Sequence, residues 1–254
     1  MPSTTANSAA LVAGGGYPPP GPLQRVPTFI GGLDELMQGG IPRGYVVLVA
    51  GRPGSLKSTV AFNILYQLAN QRNEPVLYVT LEQEATDVFQ QMRGFGLQWE
   101  GVRKVMTIDL SALKATNDEG DQLVRMDWFK AVLQTVRANH AQFGLSAVVI
   151  DSLNALYQYA FDGELRTQLL SFFHELRALR ATTFLLTEMR GGDDIYGSQG
   201  SESFLADGII HLDLRRDGLK VGRYIGVPKM RATKHSTDYY PLIADERGFR
   251  IVVR

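Results

Sequence analysis

The chain has 254 residues, of which 44% are hydrophobic and 20% are charged, and its 26 basic residues balance 26 acidic ones. That apolar fraction suffices for a globular core, and a net charge of zero argues against the broad basic surface that binds nucleic acid. The absence of cysteine excludes disulfides, thiolate metal sites and cysteine nucleophiles. Because no apolar run reaches the ~20 residues that span a bilayer, and no secretory signal is visible, we expect a cytoplasmic protein without membrane segments.

Residues 1–24 form a segment of distinct composition, with no charged residue and a high proline content. Such a segment has little to bury, which predicts a disordered or partly polyproline-II tail. The remaining residues, 25–254, are even in composition and are predicted to form one domain. A docking role for the proline run stays open beside the simpler interpretation of a solvated tail.

Strand-like and helix-like stretches alternate along this domain. Short apolar runs predict five buried strands, at Tyr45–Ala50, Pro75–Leu81, Lys104–Leu110, Ser146–Asp151 and Thr182–Glu188. The stretches between them predict helices at Ser58–Asn70, Glu84–Arg93, Asp121–Phe143 and Glu164–Arg180. Gly208–Arg216 and Leu219–Lys229 then flank Asp217-Gly218, a strong hairpin signal. The predicted fold is therefore α/β, with a mostly parallel central sheet flanked by helices and an antiparallel C-terminal hairpin.

A candidate phosphate-binding loop follows the first of these strands and precedes the first helix. Such a loop needs inward-facing backbone N–H groups at a helix N-terminus, a lysine for the terminal phosphates and a hydroxyl for Mg²⁺. The chain offers these groups at the required offsets through Gly51, Pro53, Gly54, Ser55, Leu56, Lys57, Ser58 and Thr59. The pattern asks for glycine where Leu56 stands, so its Cβ either fits ordinary dihedral angles or strains the loop. A glycine-rich turn that binds no nucleotide is the alternative interpretation.

Two carboxylates come at the carboxyl ends of predicted strands. Asp151 ends the run SAVVID, and Glu82 follows the run PVLYVTL. In a parallel sheet both positions face the ligand crevice. Asp151 there would hold magnesium, directly or through a water, and Glu82 would accept a proton from an attacking water. The alternative is that each carboxylate caps the helix that follows it.

With these residues in place, the chain resembles the KaiC-like ATPases of the RecA superfamily. The resemblance runs from about residue 29 to 253, and its landmarks are GGLDEL from Gly31, GGIPRG from Gly39, the phosphate loop, YVTLEQ from Tyr78, VIDS from Val149, Thr187-Glu188 and Lys229-Met230-Arg231. It implies a RecA-like P-loop NTPase core, ATP and Mg²⁺ as cofactors, and hexameric rings with nucleotide between neighbouring subunits.

The resemblance also implies roles for single residues. It places Lys57 and Ser58 on the phosphates and Mg²⁺, Asp151 in the Walker B role and Glu82 as the acid that activates water. Lys229 and Arg231 match a K-x-R pair that reaches the γ-phosphate of the adjacent subunit. Without the resemblance, that pair is interpreted as a solvated strand face.

Two departures from the family pattern favour slow turnover. Gln83 stands where KaiC-like sites commonly have a second glutamate, and glutamine orients a water but cannot take its proton. Leu56 is the other departure. Ser201 and Ser203 lie roughly where clock-type proteins carry modified hydroxyls, which leaves autophosphorylation open.

The function favoured by the sequence is an ATP-driven oligomeric switch, a hexamer whose nucleotide state is signalled to an unknown protein partner. A DNA-handling motor is the first alternative, but the loops 152–165 and 189–207 carry net charges of −2 and −3, which disfavour DNA. A scaffold that binds nucleotide without hydrolysing it is the second alternative, suggested by Leu56 and Gln83.

Overall fold

The computed structural model describes residues 21–111, 127–158, 165–189, 196–245 and 248–253. Within these ranges lie a nine-stranded sheet and a two-stranded sheet, the latter formed by β1 (Arg25–Val26) and β2 (Ile41–Pro42). The predicted tail up to residue 20 lies outside the described residues, as do five charged residues of the two loops considered above, Asp162, Glu164, Arg190, Asp193 and Asp194.

The large sheet combines a parallel part and an antiparallel part. Its strands are β3 (Val46–Gly51), β4 (Val76–Thr80), β5 (Val105–Asp109), β6 (Ala147–Asp151), β7 (Thr182–Glu188), β8 (Gly208–Asp217), β9 (Lys220–Met230), β10 (Tyr239–Asp245) and β11 (Gly248–Ile251). They follow the order β11-β10-β9-β8-β3-β7-β6-β4-β5. Neighbouring strands from β8 to β5 in this order are parallel, and those from β11 to β8 are antiparallel. The predicted fold class is confirmed.

The helices pack on both faces of the sheet. They are α1 (Lys57–Arg72), α2 (Ala85–Arg93), α3 (Trp128–Phe143), α4 (Leu153–Tyr157), α5 (Leu165–Ala178) and α6 (Glu202–Leu205), with a 3₁₀ turn at Glu35–Met37. Alternate residues of a strand point to opposite faces. Val47 and Val49 of β3 therefore join the core under α1, whereas Val46 and Leu48 join the core with α3 and α5. None of the helices in the described part of the chain is both long and apolar enough to cross a membrane.

Some predicted boundaries differ from the structure for local reasons. The helix predicted from Asp121 begins at Trp128, because the backbone of Asp127 is extended and its carboxylate accepts a hydrogen bond from Lys130 N at 3.1 Å. Residues 121–126 lie outside the described ranges. The β8–β9 hairpin pairs Asp217 with Lys220, so the turn falls one residue later than predicted, at Gly218 and Leu219. Gly218 takes the positive φ, +57°, that such a turn requires.

The sequence analysis missed the last two strands. β10 pairs with β9 through residues 239–241 and with β11 through residues 242–245. Pro241 and several partly exposed positions interrupt the apolar alternation of β10, so the usual strand pattern is weak there.

Candidate active site

An open cleft of about 220 Å³ lies at the carboxyl ends of β3, β4, β6 and β7. This edge of a parallel sheet is the usual ligand crevice of open α/β folds. The residues that line the cleft come from the loop after β3, the start of α1 and the ends of the neighbouring strands: Pro53, Gly54, Leu56, Lys57, Ser58, Thr59, Thr80, Glu82, Gln83, Gln91, Asp151, Ser152 and Glu188. The structure therefore brings together most of the predicted site residues. Gly51 and Ser55 belong to the same stretch of chain without lining the cleft, and Lys229 and Arg231 lie outside it.

The loop after β3 turns tightly because two of its positions lack a side chain. A Cβ on Gly51 would lie 2.3 Å from the Leu212 carbonyl oxygen and 2.6 Å from Ser55 Oγ, so only glycine fits there. Gly54 has φ +81°, a conformation that glycine adopts at no steric cost. The loop leads directly into the N-terminus of α1, where free N–H groups and the helix dipole favour an anion.

Leu56 is the strained position of this loop. Its φ of +73° and ψ of 26° lie in the left-handed region, which disfavours a residue with a Cβ. Of the two possibilities for Leu56, ordinary dihedral angles are thus wrong and local strain is correct. Its side chain is half-buried and packs against the core under α1, and its carbonyl accepts a hydrogen bond from Val60 N at 2.9 Å. Packing of the leucine side chain offsets part of the backbone strain.

Lys57 is the cation of the cleft. Its Nζ donates to the Arg52 carbonyl oxygen at 3.2 Å. Burial lowers the pKa of Lys57 below its ordinary value, against the opposing charges of Glu188, Asp151 and Glu82. A partly desolvated ammonium group beside three acids is well placed to gain from contact with a phosphate.

One buried hydroxyl beside Lys57 also fits an oxyanion. Thr59 lines the cleft, and its Oγ1 has no hydrogen-bond partner among the described residues, although Thr59 is 0% exposed. Ser55 Oγ has no such partner either, but Ser55 does not line the cleft, and its hydroxyl lies against Gly51 of β3. A buried hydroxyl without a partner is costly, and a phosphate oxygen would satisfy it. The loop residues therefore fit a bound polyphosphate.

Asp151 lies on the floor of the cleft beside Tyr78 and Ser58. Tyr78 Oη donates to Asp151 Oδ2 at 2.5 Å, and the nearby Ser58 hydroxyl acts to lower the pKa of both groups. Burial raises the pKa of Asp151, with Glu82 adding to the rise and the two hydroxyls and Lys57 opposing it. A carboxylate beside a hydroxyl is the hard oxygen set that Mg²⁺ accepts together with phosphate oxygens and waters. Ser58 and Asp151 therefore fit this ion.

Glu82 lies beside the Asp151 group. The Ser152 hydroxyl donates to Glu82 Oε1. Neither predicted acid caps a helix: Ser152 caps α4, accepting from Ala155 N at 3.4 Å, and Glu84 stands at the start of α2. The capping alternative for Asp151 and Glu82 is therefore wrong, and both carboxylates belong to the cleft.

Gln83 also lines the cleft, and its backbone carbonyl accepts a side-chain hydrogen bond. The Thr80 hydroxyl donates to the Gln83 carbonyl oxygen at 2.6 Å. On the opposite side of the cleft, Asn154 Oδ1 accepts from Glu188 N at 2.8 Å and from Thr187 Oγ1 at 3.2 Å. These contacts fix the ends of β4 and β7 around Lys57.

Lys229 and Arg231 lie at the other end of the sheet. Arg231 N donates to the Asp207 carbonyl oxygen at 2.9 Å, and Asp207 N donates to the Val46 carbonyl oxygen at 2.8 Å, which places the pair beside the first residue of β3. The phosphate loop follows Gly51, about 16 Å further along that strand. The pair therefore cannot reach the cleft of its own chain.

The cations of this pair have defined contacts within the chain, and Arg231 is also exposed to solvent. Lys229 Nζ donates to the Ser203 carbonyl oxygen at 2.7 Å, and Arg231 forms an ion pair with Asp207 at 2.8 Å. Burial lowers the pKa of Lys229, and the nearby Arg231 charge lowers it further. Because Ser203 and its neighbour Ser201 belong to this same region, both serines are also remote from the chain's own cleft.

The sequence profile of the ATPase family KaiC matches residues 26–254. The chain belongs to the KaiC ATPase family. The circadian clock oscillator protein KaiC of Picosynechococcus sp. is 30% identical over 234 residues, which are 90% of this chain and 44% of that protein. The UPF0273 protein PAE3143 of Pyrobaculum aerophilum is 31% identical over 236 residues, covering 91% of this chain and 83% of that protein.

A solved structure supports the same assignment. The crystal structure of the KaiC-like protein PH0186 from Pyrococcus horikoshii OT3 matches with a TM-score of 0.77 at 30% identity, covering 91% of this chain and 100% of that chain. The present chain spans less than half the length of the KaiC clock protein it matches. Residues 26–254 thus form a KaiC-like domain of the RecA superfamily.

The KaiC-like cleft contains functional candidates that the sequence analysis missed. Tyr78, Ser152, Asn154 and Glu188 contact or line it, and only the landmarks YVTLEQ, VIDS and Thr187-Glu188 pointed to their vicinity. Their contacts join residues more than 30 positions apart, so spacing along the chain gave no signal.

Proposed function

We propose that the chain binds Mg·ATP in the cleft after β3 and hydrolyses it slowly, as an oligomeric nucleotide switch. The observation that supports this most is the convergence of Lys57, Ser58, Asp151 and Glu82 on one cleft at a helix N-terminus. A lysine for the phosphates, a hydroxyl and a carboxylate for the metal and an acid for the water are the parts that phosphoryl transfer to water requires.

The binding step uses the loop and the metal-side residues. Backbone N–H groups of residues 54–58, Lys57 Nζ and the buried Thr59 hydroxyl would hold the phosphates. Ser58 and Asp151 would hold Mg²⁺, which when bound neutralises charge on the transferring phosphoryl group. Thr59, Pro53 and Gly54 shape the rest of the phosphate cradle.

Glu82 is the proposed general base. Its carboxylate lies beside the Ser152 hydroxyl in the same cleft, so it can accept a proton from a water aligned with the γ-phosphate. Gln83 lines the cleft next to it and can orient that water but cannot deprotonate it. A single carboxylate base together with strain at Leu56 accounts for the slow turnover that we propose.

Lys229 and Arg231 are proposed to complete the site of a neighbouring subunit. Since they lie about 16 Å along β3 from their own phosphate loop, only another copy of the chain can bring them to a γ-phosphate. Positive charge delivered there stabilises the transferring group and is worth 10³–10⁵ in rate in other NTPases. We infer a hexameric ring in which nucleotide occupancy sets subunit contacts and a protein partner responds to that state.

The test of this proposal is complementation between two inactive variants. Arg231→Ala is expected to bind ATP nearly as wild type does, but to lose turnover by up to ~10³-fold. Glu82→Gln is expected to bind ATP and fail to hydrolyse it, because the base is lost. In mixed rings, some interfaces pair an intact Glu82 with an intact Arg231, so ATPase activity should partly return.

The control is Arg216→Ala, which removes an exposed arginine of β8 and should leave turnover unchanged. Ring mixing is checked by co-purification of differently tagged chains. If verified mixed rings stay as inactive as their components, the proposed role between subunits is wrong, and if wild type binds no nucleotide the whole proposal is wrong.

A non-hydrolysing scaffold is the second candidate, and it is favoured by the left-handed Leu56 and by Gln83. Gln83 would act on turnover, whereas Leu56 belongs to the phosphate loop and lines the cleft beside Lys57. Phosphate release by purified wild type, compared with Glu82→Gln as the blank, distinguishes the two functions. Equal release from both proteins would favour the scaffold.

A further inference from the structure

Tyr78 is a fully buried residue that carries a polar group to the floor of the cleft. Its side chain is 0% exposed, and its ring packs edge-on against Phe62 with 5.5 Å between ring centroids. A buried tyrosine normally finds a partner for its hydroxyl. Here the partner is Asp151 Oδ2, at 2.5 Å, and the Ser58 hydroxyl lies near enough to the tyrosine hydroxyl to lower its pKa.

The register of the sheet explains why the hydroxyl arrives at this point. Tyr78 of β4 is opposite Val149 of β6, and Asp151 follows Val149 by two residues, on the same face of the sheet. The tyrosine ring thus rises from the core under α1 toward the end of the neighbouring strand. Its hydroxyl donates to Asp151 and lies near Ser58, the two residues proposed to hold Mg²⁺, and Tyr78 does not line the cleft itself.

We propose that Tyr78 is a positioning residue that fixes Asp151 and Ser58 for the metal ion; this inference deepens the proposed function and rests on it. A carboxylate held at one oxygen loses rotational freedom, so its orientation is set before an ion arrives. Hydrogen bonds from outside the ligand set orient metal ligands in this way, and their loss typically costs 10–100-fold in metal affinity or activity.

The hydroxyl of Tyr78 can be removed without changing the volume of the side chain. A phenylalanine at position 78 would fill the same volume beside Phe62 and retain the fold's packing, but it would leave a buried carboxylate oxygen without its donor. Tyr78→Phe therefore removes the positioning contact alone.

The experiment measures binding of a non-hydrolysable ATP analogue by fluorescence anisotropy, first in EDTA and then across a Mg²⁺ titration. Tyr78→Phe is expected to bind the analogue in EDTA as wild type does, because the loop and Lys57 are untouched. The Mg²⁺ concentration at half-maximal enhancement should rise by roughly 10–100-fold. A merely structural role would weaken binding in both conditions.

Tyr157→Phe is the matched control. Tyr157 Oη donates to Glu202 Oε1 at 2.7 Å, so this variant also removes a hydroxyl from a buried carboxylate, but outside the cleft. It should leave the Mg²⁺ titration of wild type unchanged. An equal shift in both variants would show a general loss of stability and would overturn the proposal.

A double-mutant cycle with Asp151→Asn completes the test. In that background the carboxylate that Tyr78 orients is gone, so adding Tyr78→Phe should leave the EDTA affinity unchanged and should shift the Mg²⁺ titration by less than it does in wild type. The double variant leaves no buried charge unpaired, so it can be measured even where Tyr78→Phe alone folds poorly. Weaker binding in EDTA by the double variant than by Asp151→Asn alone overturns the proposal.

The outcomes also separate this inference from the proposed function. If wild type and Tyr157→Phe bind no analogue in either condition, the proposed function is wrong. If both bind with a clear Mg²⁺ dependence and Tyr78→Phe behaves identically, only the positioning role is wrong.

Discussion

Replacing Leu56 by glycine or by alanine separates backbone strain from side-chain packing at the phosphate loop. The left-handed conformation costs a residue with a Cβ about 1–2 kcal/mol. Glycine escapes this cost but loses about 0.5–1 kcal/mol through the greater freedom of its unfolded chain. Both variants lose the half-buried leucine side chain, which contributes about 1 kcal/mol if half of a full burial is counted.

These terms predict different stabilities for the two substitutions. Leu56→Ala keeps the strain and loses the packing, so it should be about 1 kcal/mol less stable than wild type. Leu56→Gly loses the packing and the strain together, so it should be nearly as stable as wild type. For a chain of this size, the glycine variant should melt about 2–4 °C above the alanine variant. It should also bind a non-hydrolysable ATP analogue at least as tightly as wild type.

The assay is thermal unfolding of the nucleotide-free protein, with Leu170 as the matched position. Leu170 is 49% exposed on α5, an ordinary helix, where glycine should be about 1 kcal/mol less stable than alanine. Glycine should therefore be more stable than alanine at position 56 and less stable than alanine at position 170. If Leu56→Ala melts at or above Leu56→Gly, the backbone at Leu56 is not strained and the reasoning is refuted.

Two further predictions concern Lys57. Lys57→Ala should remove most of the affinity for ATP, measured by calorimetry. Arg52→Ala is the control and should keep that affinity, because Arg52 contributes only its backbone carbonyl to Lys57. Equal affinities in wild type and Lys57→Ala would contradict the assignment of Lys57 to the phosphates. Burial lowers the pKa of Lys57, so the free site loses its proton below the ordinary lysine value while bound phosphate favours the charged form. ATP affinity should therefore begin to fall at a pH below the ordinary pKa of lysine, which is about 10.4, and the same decline in the residual binding of Lys57→Ala would exclude that origin.

Local pattern was enough to predict the parts of the site that lie along one stretch of chain. The apolar run before Gly51, the glycine spacing and Lys57 together predicted the phosphate loop, and the ends of β4 and β6 predicted Glu82 and Asp151. The contact between Tyr78 and Asp151 depends on the register of strands that are not consecutive in sequence. The conformation of Leu56 depends on packing against the core, so the residue type alone left two possibilities open.

The position of Arg231 relative to the phosphate loop has a consequence for the geometry of assembly. Each chain carries the candidate phosphate loop after one end of β3 and the cationic pair beside the other end, so under the proposed arrangement two different surfaces meet. Such an interface is heterologous, joining copies head to tail, and it closes into a ring or extends into a filament according to the rotation between neighbours. Under the proposed arrangement, each bound nucleotide adds contacts to two chains at once. Linkage then makes the effect reciprocal: ATP promotes association, association tightens ATP, and specific activity falls when the protein is diluted below the dissociation constant of its neighbours.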